Sequence, residues 1–133
     1  LRKENGIAAL TTSDKLMQAA QVRADEMAAS GAYSHTRPDG RKYTTVTDCK
    51  YVGENIHRIA DWALQGKPVS EVAMWSWNHS AGHQNNLLDK SYAEIGVGLA
   101  RGVNEDGYEC WYCVQLFLWN GYSVSWVDAP AAK

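Results

Sequence analysis

Gly53-Glu54-Asn55-Ile56 is the shorter of two blocks that stand out in this sequence. The longer block reads Trp77-Asn78-His79-Ser80-Ala81-Gly82-His83-Gln84-Asn85-Asn86-Leu87-Leu88. Two further segments flank them, Ser34-His35-Thr36-Arg37-Pro38-Asp39-Gly40 upstream and Glu94-Ile95-Gly96-Val97-Gly98 downstream. All four histidines of the chain lie in or beside these blocks. Because histidine titrates near neutral pH and offers a lone pair to metals, the clustering marks these blocks as the candidate site of chemistry.

The composition indicates one compact globular domain. The chain has 133 residues, of which 45% are apolar and 21% are charged, and its net charge is −2. That length suits one hydrophobic core and is short for two ordinary domains. The low charge and the lack of long basic runs argue against nucleic-acid binding, and no stretch approaches the ~20 apolar residues of a membrane span. We find no signal peptide, and because the chain begins at Leu1 it reads as a piece of a longer one.

The three cysteines do not predict a metal site. Cys110 and Cys113 resemble half of a zinc-binding set, but no second such pair exists and Cys49 stands alone. If the segment around Trp111 is a strand, Cys110 and Cys113 point to opposite faces, which opposes a disulfide between them. A bond from either one to Cys49 stays open, and the odd count leaves at least one thiol unpaired.

Helix signals dominate the first two thirds of the chain. Residues 1–5 read as the end of a helix that Gly6 terminates. Thr11, Thr12 or Ser13 can cap the next, Ala-rich helix, which Ser30-Gly31 ends. Further along we predict a turn-rich loop over residues 33–43 and a short strand or extended segment over 44–47. A short helix should follow over residues 54–64. Ser70 should cap a further helix, which Gly82 interrupts before a last turn at 84–88.

Two strands close the domain. In the first, Ile95, Val97 and Leu99 share one face, and Gly96 and Gly98 lie on the other, where a second backbone can approach closely. The second strand, residues 108–119, places on one side Trp111, Cys113, Gln115, Phe117 and Trp119. Residues 127–133 read as a frayed terminus. Helices followed by an antiparallel sheet indicate an α+β fold.

Taken together, the four blocks resemble the signature of the CAP superfamily (cysteine-rich secretory, antigen 5, pathogenesis-related 1), and in particular its bacterial branch of SCP-like extracellular proteins. The resemblance covers residues 1–121, which we take as the domain with its N-terminal helix truncated, and residues 122–133 form a tail. It implies a three-layer α-β-α sandwich, with helices on both faces of a small, mainly antiparallel sheet. It also implies an extracellular or cell-surface location.

The resemblance further implies a cavity lined by two histidines and up to two glutamates. Matched residue by residue, it assigns the histidines to His35 and His83 and the first glutamate to Glu54. The second glutamate of eukaryotic members falls at Ser80, as in many bacterial members, so the tetrad is incomplete. Asn86 matches an asparagine of the same motif. We expect the ligand cleft to be lined by His35, Glu54, Ser80, His83, Asn86 and Gln115.

Two imidazoles and a carboxylate can hold a divalent metal such as zinc. His35, Glu54 and His83 match the His₂Glu set of some catalytic zinc sites, where a fourth ligand is water and a glutamate can act as general base. In the alternative interpretation, the same side chains hydrogen-bond one another and tie loops to the sheet without a metal. His79 and His83 have the spacing of an HExxH helix, but Ser80 stands where that motif has glutamate, so we expect His79 on the surface instead.

A serine nucleophile is a further alternative. Ser80, His83 and Glu54 have the residue types of a hydrolytic triad and are the catalytic candidates. No G-x-S-x-G elbow is present, however, and a small polar residue near a helix end usually caps that helix. The missing elbow and the incomplete tetrad both argue against an enzyme.

Three functions are compatible with the sequence. The first is a secreted, monomeric, non-enzymatic binding module whose cleft takes a small molecule, lipid, peptide or glycan, with or without a divalent metal. The second is a metal- or Ser-dependent hydrolase of peptides or cell-wall components, and the third is a structural or adhesive domain. The incomplete tetrad favours the first function over the second. Six Trp and seven Tyr, whose polar tips suit half-buried grooves, favour it over the third.

Overall fold

A central sheet of four strands organises the computed structural model of the chain, which describes residues 1–128. The strands are β1 Thr11–Thr12, β2 Val52–Ala60, β3 Tyr92–Val103 and β4 Glu109–Trp119. Their order across the sheet is β1-β3-β4-β2, with β1 parallel to β3 and the other neighbours antiparallel. The helices are α1 Asp14–Ser30, α2 Val69–Asn78 and α3 Ala81–Leu87, and short 3₁₀ turns occupy Lys3–Asn5, Tyr43–Val46 and Asp61–Ala63. Within residues 1–128 no helix combines the length and the apolarity needed to cross a membrane.

The helices cover both faces of the sheet. Tyr112, Val114 and Leu116 of β4 pack with α1 in one core, and Cys113 and Phe117 pack with α2 and α3 in a second core. Alternate residues of one strand therefore serve opposite layers, as the pleat of a strand requires. This confirms the predicted α+β fold and its three-layer arrangement.

Helix α1 begins and ends where its sequence predicts. The hydroxyl of Ser13 accepts a hydrogen bond from the N–H of Leu16, and Gly31 ends the helix with a φ of 73°. Leu16, Ala20 and Met27 are fully buried on the side that faces the sheet. The small size of the alanines along this helix lets it lie close to the strands beneath it.

The glycine face of β3 makes that close approach possible. A Cβ atom added to Gly98 would lie 2.5 Å from the backbone carbonyl carbon of Ala20, and one added to Gly96 would meet the backbone of Leu16. Any larger residue at these positions would push α1 away from the sheet. The prediction that Gly96 and Gly98 face a covering layer is confirmed.

The predicted helix over residues 54–64 is wrong. This segment is strand β2, which pairs with β4 from Val52 opposite Leu118 to Ala60 opposite Cys110, and only a 3₁₀ turn follows. The long ladder to β4 outweighs the weak helical preference of the segment, since strand formation depends on cross-strand partners far away in the sequence. Strand β2 is consequently an edge strand of the sheet.

Smaller departures from prediction occur at turns. Residues 44–47 do not form a strand, because the Thr45 hydroxyl donates to the carbonyl of Lys42 and stabilises a 3₁₀ turn instead. Ser70 does not cap α2, which already begins at Val69 after Pro68. The break between α2 and α3 lies at His79 and Ser80, where Ser80 has an extended backbone, and Gly82 lies inside α3.

The segment before the C-terminus is held in place where the structure describes it. Val127 bridges to Thr47, and the carboxylate of Asp128 accepts hydrogen bonds from Arg37 at 2.9 Å and from Arg41 at 2.8 Å. The guanidinium of Arg37 is buried and also contacts Glu26. The prediction of fraying is therefore wrong for residues 127 and 128, and its remainder, residues 129–133, lies outside the described residues.

The cysteines are buried and unpaired. Cys49, Cys110 and Cys113 are free thiols, and Cys110 and Cys113 belong to the two different cores, as expected for neighbours at odd spacing on a strand. Burial raises the pKa of Cys113 to about 12. An inaccessible thiol with such a pKa is a packing group and not a nucleophile.

Candidate functional site

A buried ion pair between Arg23 and Glu54 holds the ring of His35, the first of the two predicted site histidines. Arg23 of α1 donates to Glu54 of β2 twice, from Nε to Oε2 at 2.7 Å and from Nη2 to Oε1 at 3.1 Å, and neither side chain exposes any surface. The Nδ1 atom of His35 lies 2.8 Å from Oε1 of Glu54, while 53% of the His35 side chain is exposed. Because the carboxylate of Glu54 is an acceptor already paired with Arg23, we assign Nδ1 of His35 as the donor. The ring is thereby fixed with its other nitrogen, Nε2, left free of Glu54.

Arg23 is the functional residue that the sequence interpretation missed. It also donates from Nη2 to the carbonyl of Ser34 at 2.6 Å, so one guanidinium holds both the glutamate and the loop that carries His35. A signal was present in the sequence. Arg23 falls on the stripe of α1 that Leu16, Ala20 and Met27 define as the core side, and a charged residue on such a stripe needs a buried partner.

The second histidine, His83, lies on α3, which packs on the face of the sheet opposite to α1. Its backbone carbonyl accepts a hydrogen bond from Nδ2 of Asn55 at 3.2 Å. Asn55 also donates to Oε1 of Gln115 at 3.2 Å and accepts from Nδ2 of Asn86 at 2.9 Å. Asn86 donates further to the carbonyl of Glu54 at 3.3 Å. Three amide side chains thus fasten α3 to β2 and β4, and one of them is Asn86, the asparagine that the motif resemblance singled out.

The candidate site spans the free edge of the sheet. Successive residues of β2 point to opposite faces, so Glu54 reaches toward α1 and Asn55 toward α3. Because β2 is the last strand of the sheet within residues 1–128, the two layers can meet around this edge. Gln115, which we expected in the cleft, is buried and accepts a hydrogen bond from Asn55.

Two histidines of this region, His57 on β2 and His83 on α3, have lowered pKa values. Burial lowers the pKa of His83, and the neighbouring His35 lowers it further. Burial likewise lowers the pKa of His57, with a smaller contribution from His83. The Nε2 atom of His57 is buried and has no hydrogen-bond partner among the described residues. Both shifts favour the uncharged imidazole of His57 and of His83 near neutral pH.

The residues of the hydrolytic triad are not assembled. Within residues 1–128 no hydrogen bond joins the hydroxyl of Ser80 to His83, and the carboxylate of Glu54 contacts His35 and Arg23. Ser80 is the first residue before α3, but its side chain does not cap that helix. His79 is exposed at the end of α2, as predicted, and its ring stacks on Trp75.

Glu54 does not fit the role of a direct metal ligand. Both of its oxygens accept hydrogen bonds, and Arg23 already compensates its charge. No group of three or more His, Cys, Asp or Glu side chains in the described part of the chain is arranged to hold a metal ion. The free ring nitrogens of His35 and His83 are the remaining donors, and zinc binding by them stays a prediction. Two cavities of about 260 and 420 Å³ in the described part of the chain are lined by residues other than His35 and His83, and the cleft stays a prediction as well.

Two features define the class of protein, which is an α-β-α sandwich with a histidine site at the sheet edge. The fold has three layers, and the exposed His35 is anchored on the buried Glu54 of the edge strand β2. Comparison with known proteins supplies the family. The family model described as the cysteine-rich secretory protein family, CAP, matches residues 1–117, and the chain belongs to this family.

Three similar proteins come from bacteria. The uncharacterized protein YkwD of Bacillus subtilis strain 168 is 26% identical over 102 residues, which cover 73% of this chain and 37% of YkwD. An extracellular protein containing an SCP domain from Bacillus anthracis shares the fold with a TM-score of 0.65 at 21% identity, covering 90% of this chain and 36% of that one. An outer surface protein of Borrelia burgdorferi gives a TM-score of 0.59 at 19% identity, covering 88% of this chain and 82% of that one. The chain therefore spans little more than a third of the length of the two Bacillus proteins.

Proposed function

We propose that this chain is a non-catalytic binding domain of an exported protein, and that its contact surface is built around the rings of His35 and His83. The anchoring of His35 carries this proposal. A buried arginine–glutamate pair adds little net stability compared with apolar residues of similar size, so its position under a half-exposed ring points to a role in orienting that ring. The ligand is a small molecule, lipid, peptide or glycan, with or without zinc.

Export is supported by the descriptions of two structural neighbours. The Bacillus anthracis protein is described as extracellular, and the Borrelia burgdorferi protein as an outer surface protein. Both share the fold of this chain, and we extend their location to it as part of the proposal.

The hydrolase alternative draws no support from the geometry. A Ser nucleophile needs a base within hydrogen-bond reach and an acid that orients the base. Here Ser80 makes no such bond in the described part of the chain, and Glu54 orients His35 instead of His83.

Selective observation of the histidine rings tests the proposal. Labelling at Cε1 yields four ring signals, one for each histidine, which can be assigned with single His→Gln variants. Titrants are zinc chloride, phosphatidylcholine–phosphatidylglycerol vesicles and a set of short peptides. We expect a binding titrant to shift the signals of His35 and His83 and to leave that of His79 unchanged. Shifts confined to His79, or binding that persists in a His35→Ala/His83→Ala variant, would contradict the proposal.

Zinc itself requires a second measurement. Calorimetry at about pH 7.5 and 5.5 compares the parent with His35→Ala and with the matched control His79→Ala. Because a ligating imidazole must be neutral, affinity at these two rings should fall at the lower pH. Equal affinity at both pH values would reject histidine ligands.

A further inference from the structure

A second feature lies away from the histidine surface, between the turn that follows β2 and the start of α2. A cavity of about 260 Å³ opens there, lined by Leu64, Gln65, Lys67, Glu71, Val72 and Trp75. Its volume is just below the ~300 Å³ at which pockets for drug-sized ligands begin, so it suits one or two rings of a larger molecule. None of the residues that we expected to line the ligand cleft belongs to the lining of this cavity.

An exposed tryptophan forms one wall of the cavity. The side chain of Trp75 is 62% exposed, although indole is among the groups that gain most from leaving water. His79 stacks on it at a centroid distance of 3.9 Å and an interplanar angle of 17°, and Nδ1 of His79 lies 2.7 Å from the carbonyl of Trp75. The indole is therefore held in one orientation before any ligand arrives, which lowers the entropy cost of binding.

The cavity lining also includes Gln65, which is the only non-glycine residue with a positive φ among those described. Gln65 has a φ of 52°, in the left-handed region that costs free energy for a residue with a Cβ atom, and Gly66 follows it with a φ of 79°. This turn brings the amide of Gln65 to the cavity. Such strain persists where the surrounding structure enforces it, and it clusters at binding sites.

The polar groups of the lining are free to bind a ligand. Within residues 1–128 the side chains of Gln65, Lys67 and Glu71 make no hydrogen bond to the protein, so the cavity offers an amide, an ammonium and a carboxylate. One positive and one negative charge balance each other. The site therefore has no electrostatic preference for a phosphate, a nucleic acid or another strongly charged ligand.

We propose that this cavity, which we call the Trp75 pocket, binds an uncharged pyranose oligosaccharide. A pyranose ring with equatorial hydroxyls presents a flat face of C–H bonds that can stack on an indole, and its rim of hydroxyls requires both donors and acceptors. Trp75 supplies the platform, and Gln65, Lys67 and Glu71 supply the mixed hydrogen-bonding groups. Leu64 and Val72 supply an apolar wall suited to the methyl group of an N-acetylated sugar.

Calorimetry on the full chain tests the Trp75 pocket, with tetra-N-acetylchitotetraose and cellotetraose as probes. We expect one or both to bind the parent, and we expect Trp75→Ala to weaken binding at least about tenfold. The matched control is Trp62→Ala, which removes a tryptophan that is 74% exposed but does not line the cavity. This control should keep the parent affinity.

Two further variants separate the Trp75 pocket from the histidine surface and from a folding defect. Glu71→Ala leaves the indole in place and should weaken binding several-fold, while thermal melts establish that each variant is folded. His35→Ala should bind the oligosaccharide as the parent does, even if it loses every ligand of the histidine surface. The proposal is overturned if neither probe binds the parent at millimolar concentration, or if Trp75→Ala binds as tightly as Trp62→Ala.

Discussion

Arg23 and Glu54, 31 positions apart in the sequence, form a doubly hydrogen-bonded ion pair that is fully removed from solvent. The pair joins α1 to the edge strand β2, and through Glu54 it fixes the ring of His35. It also leaves Nη1 of Arg23 buried without a partner among the described residues.

Removing one member of this pair should be strongly destabilising. Arg23→Met leaves the carboxylate of Glu54 buried without its arginine, and we expect the free energy of unfolding to fall by ~3–5 kcal/mol. The double variant Arg23→Met/Glu54→Leu removes both charges and should recover most of that loss, because an apolar pair of similar volume is often as stable. Urea denaturation measures both.

The matched control for the buried pair is Glu105→Gln, which breaks the exposed ion pair between Glu105 and Arg58. We expect no change in urea midpoint that can be resolved, since exposed pairs contribute little. If the double variant were as unstable as Arg23→Met alone, the loss of stability could not be attributed to the unpaired carboxylate of Glu54. The ion pair itself would then stabilise the fold.

The packing of α1 on β3 predicts opposite effects for one substitution at two glycines. Gly98→Ala places a Cβ atom 2.5 Å from the Ala20 backbone and should cost ~1–3 kcal/mol by overpacking. Gly82→Ala adds the same atom in α3, where nothing lies within 4 Å, and should stabilise the protein by ~0.5–1 kcal/mol through helix propensity. Thermal melts of both variants test the comparison, and equal shifts would contradict the close approach of α1.

The lowered pKa of His57 predicts a loss of stability in mild acid. The ordinary histidine pKa is 6.5, and burial lowers that of His57 in the native state. Below about pH 6.5 the unfolded chain therefore binds a proton that the native chain does not, and the free energy of unfolding falls as the pH drops toward the native pKa. His83 adds to the fall for the same reason.

His57→Phe isolates this contribution. The substitution removes the titrating group and its unpartnered Nε2 atom while keeping an aromatic ring beside Trp77. We expect the difference in denaturation midpoint between about pH 7.5 and 5.5 to become smaller than in the parent. The exposed His79→Gln serves as control, and a variant with the full pH difference of the parent would assign the effect to other groups.

The separation of Ser80, His83 and Glu54 into different interactions predicts an absence of hydrolysis. We expect a panel of fluorogenic peptides and esters to show no turnover above buffer, because within residues 1–128 the Ser80 hydroxyl makes no hydrogen bond to His83 and the carboxylate of Glu54 contacts His35 and Arg23. Turnover that disappears in Ser80→Ala and persists in the presence of a chelator would contradict this expectation.

The sequence alone predicts the elements whose signals are local. Ser13 and Gly31 mark the ends of α1, and the alternation along β3 predicts that Gly96 and Gly98 face a covering layer. The motif resemblance assigns His35 and Glu54, which the structure brings into contact, and Asn86, which ties α3 to β2. Each of these predictions depends on residues within one or two turns or on a pattern with a fixed period.

Other features of the fold and of the site depend on partners far apart in the chain, and only the tertiary structure determines them. Residues 54–60 became a strand because β4 offers them a continuous ladder, and no local pattern within the segment reveals that partner. Arg23 became the anchor of the site because folding places α1 over β2, where a buried charge must find its counter-charge. Gln115 accepts a hydrogen bond from Asn55, a contact across 60 residues that no local pattern predicts. The local sequence determines helix caps and the periodicity of apolar residues. The position of a strand at the sheet edge and the burial of a side chain arise only when all three layers are assembled, because both depend on neighbouring elements and not on the residue itself.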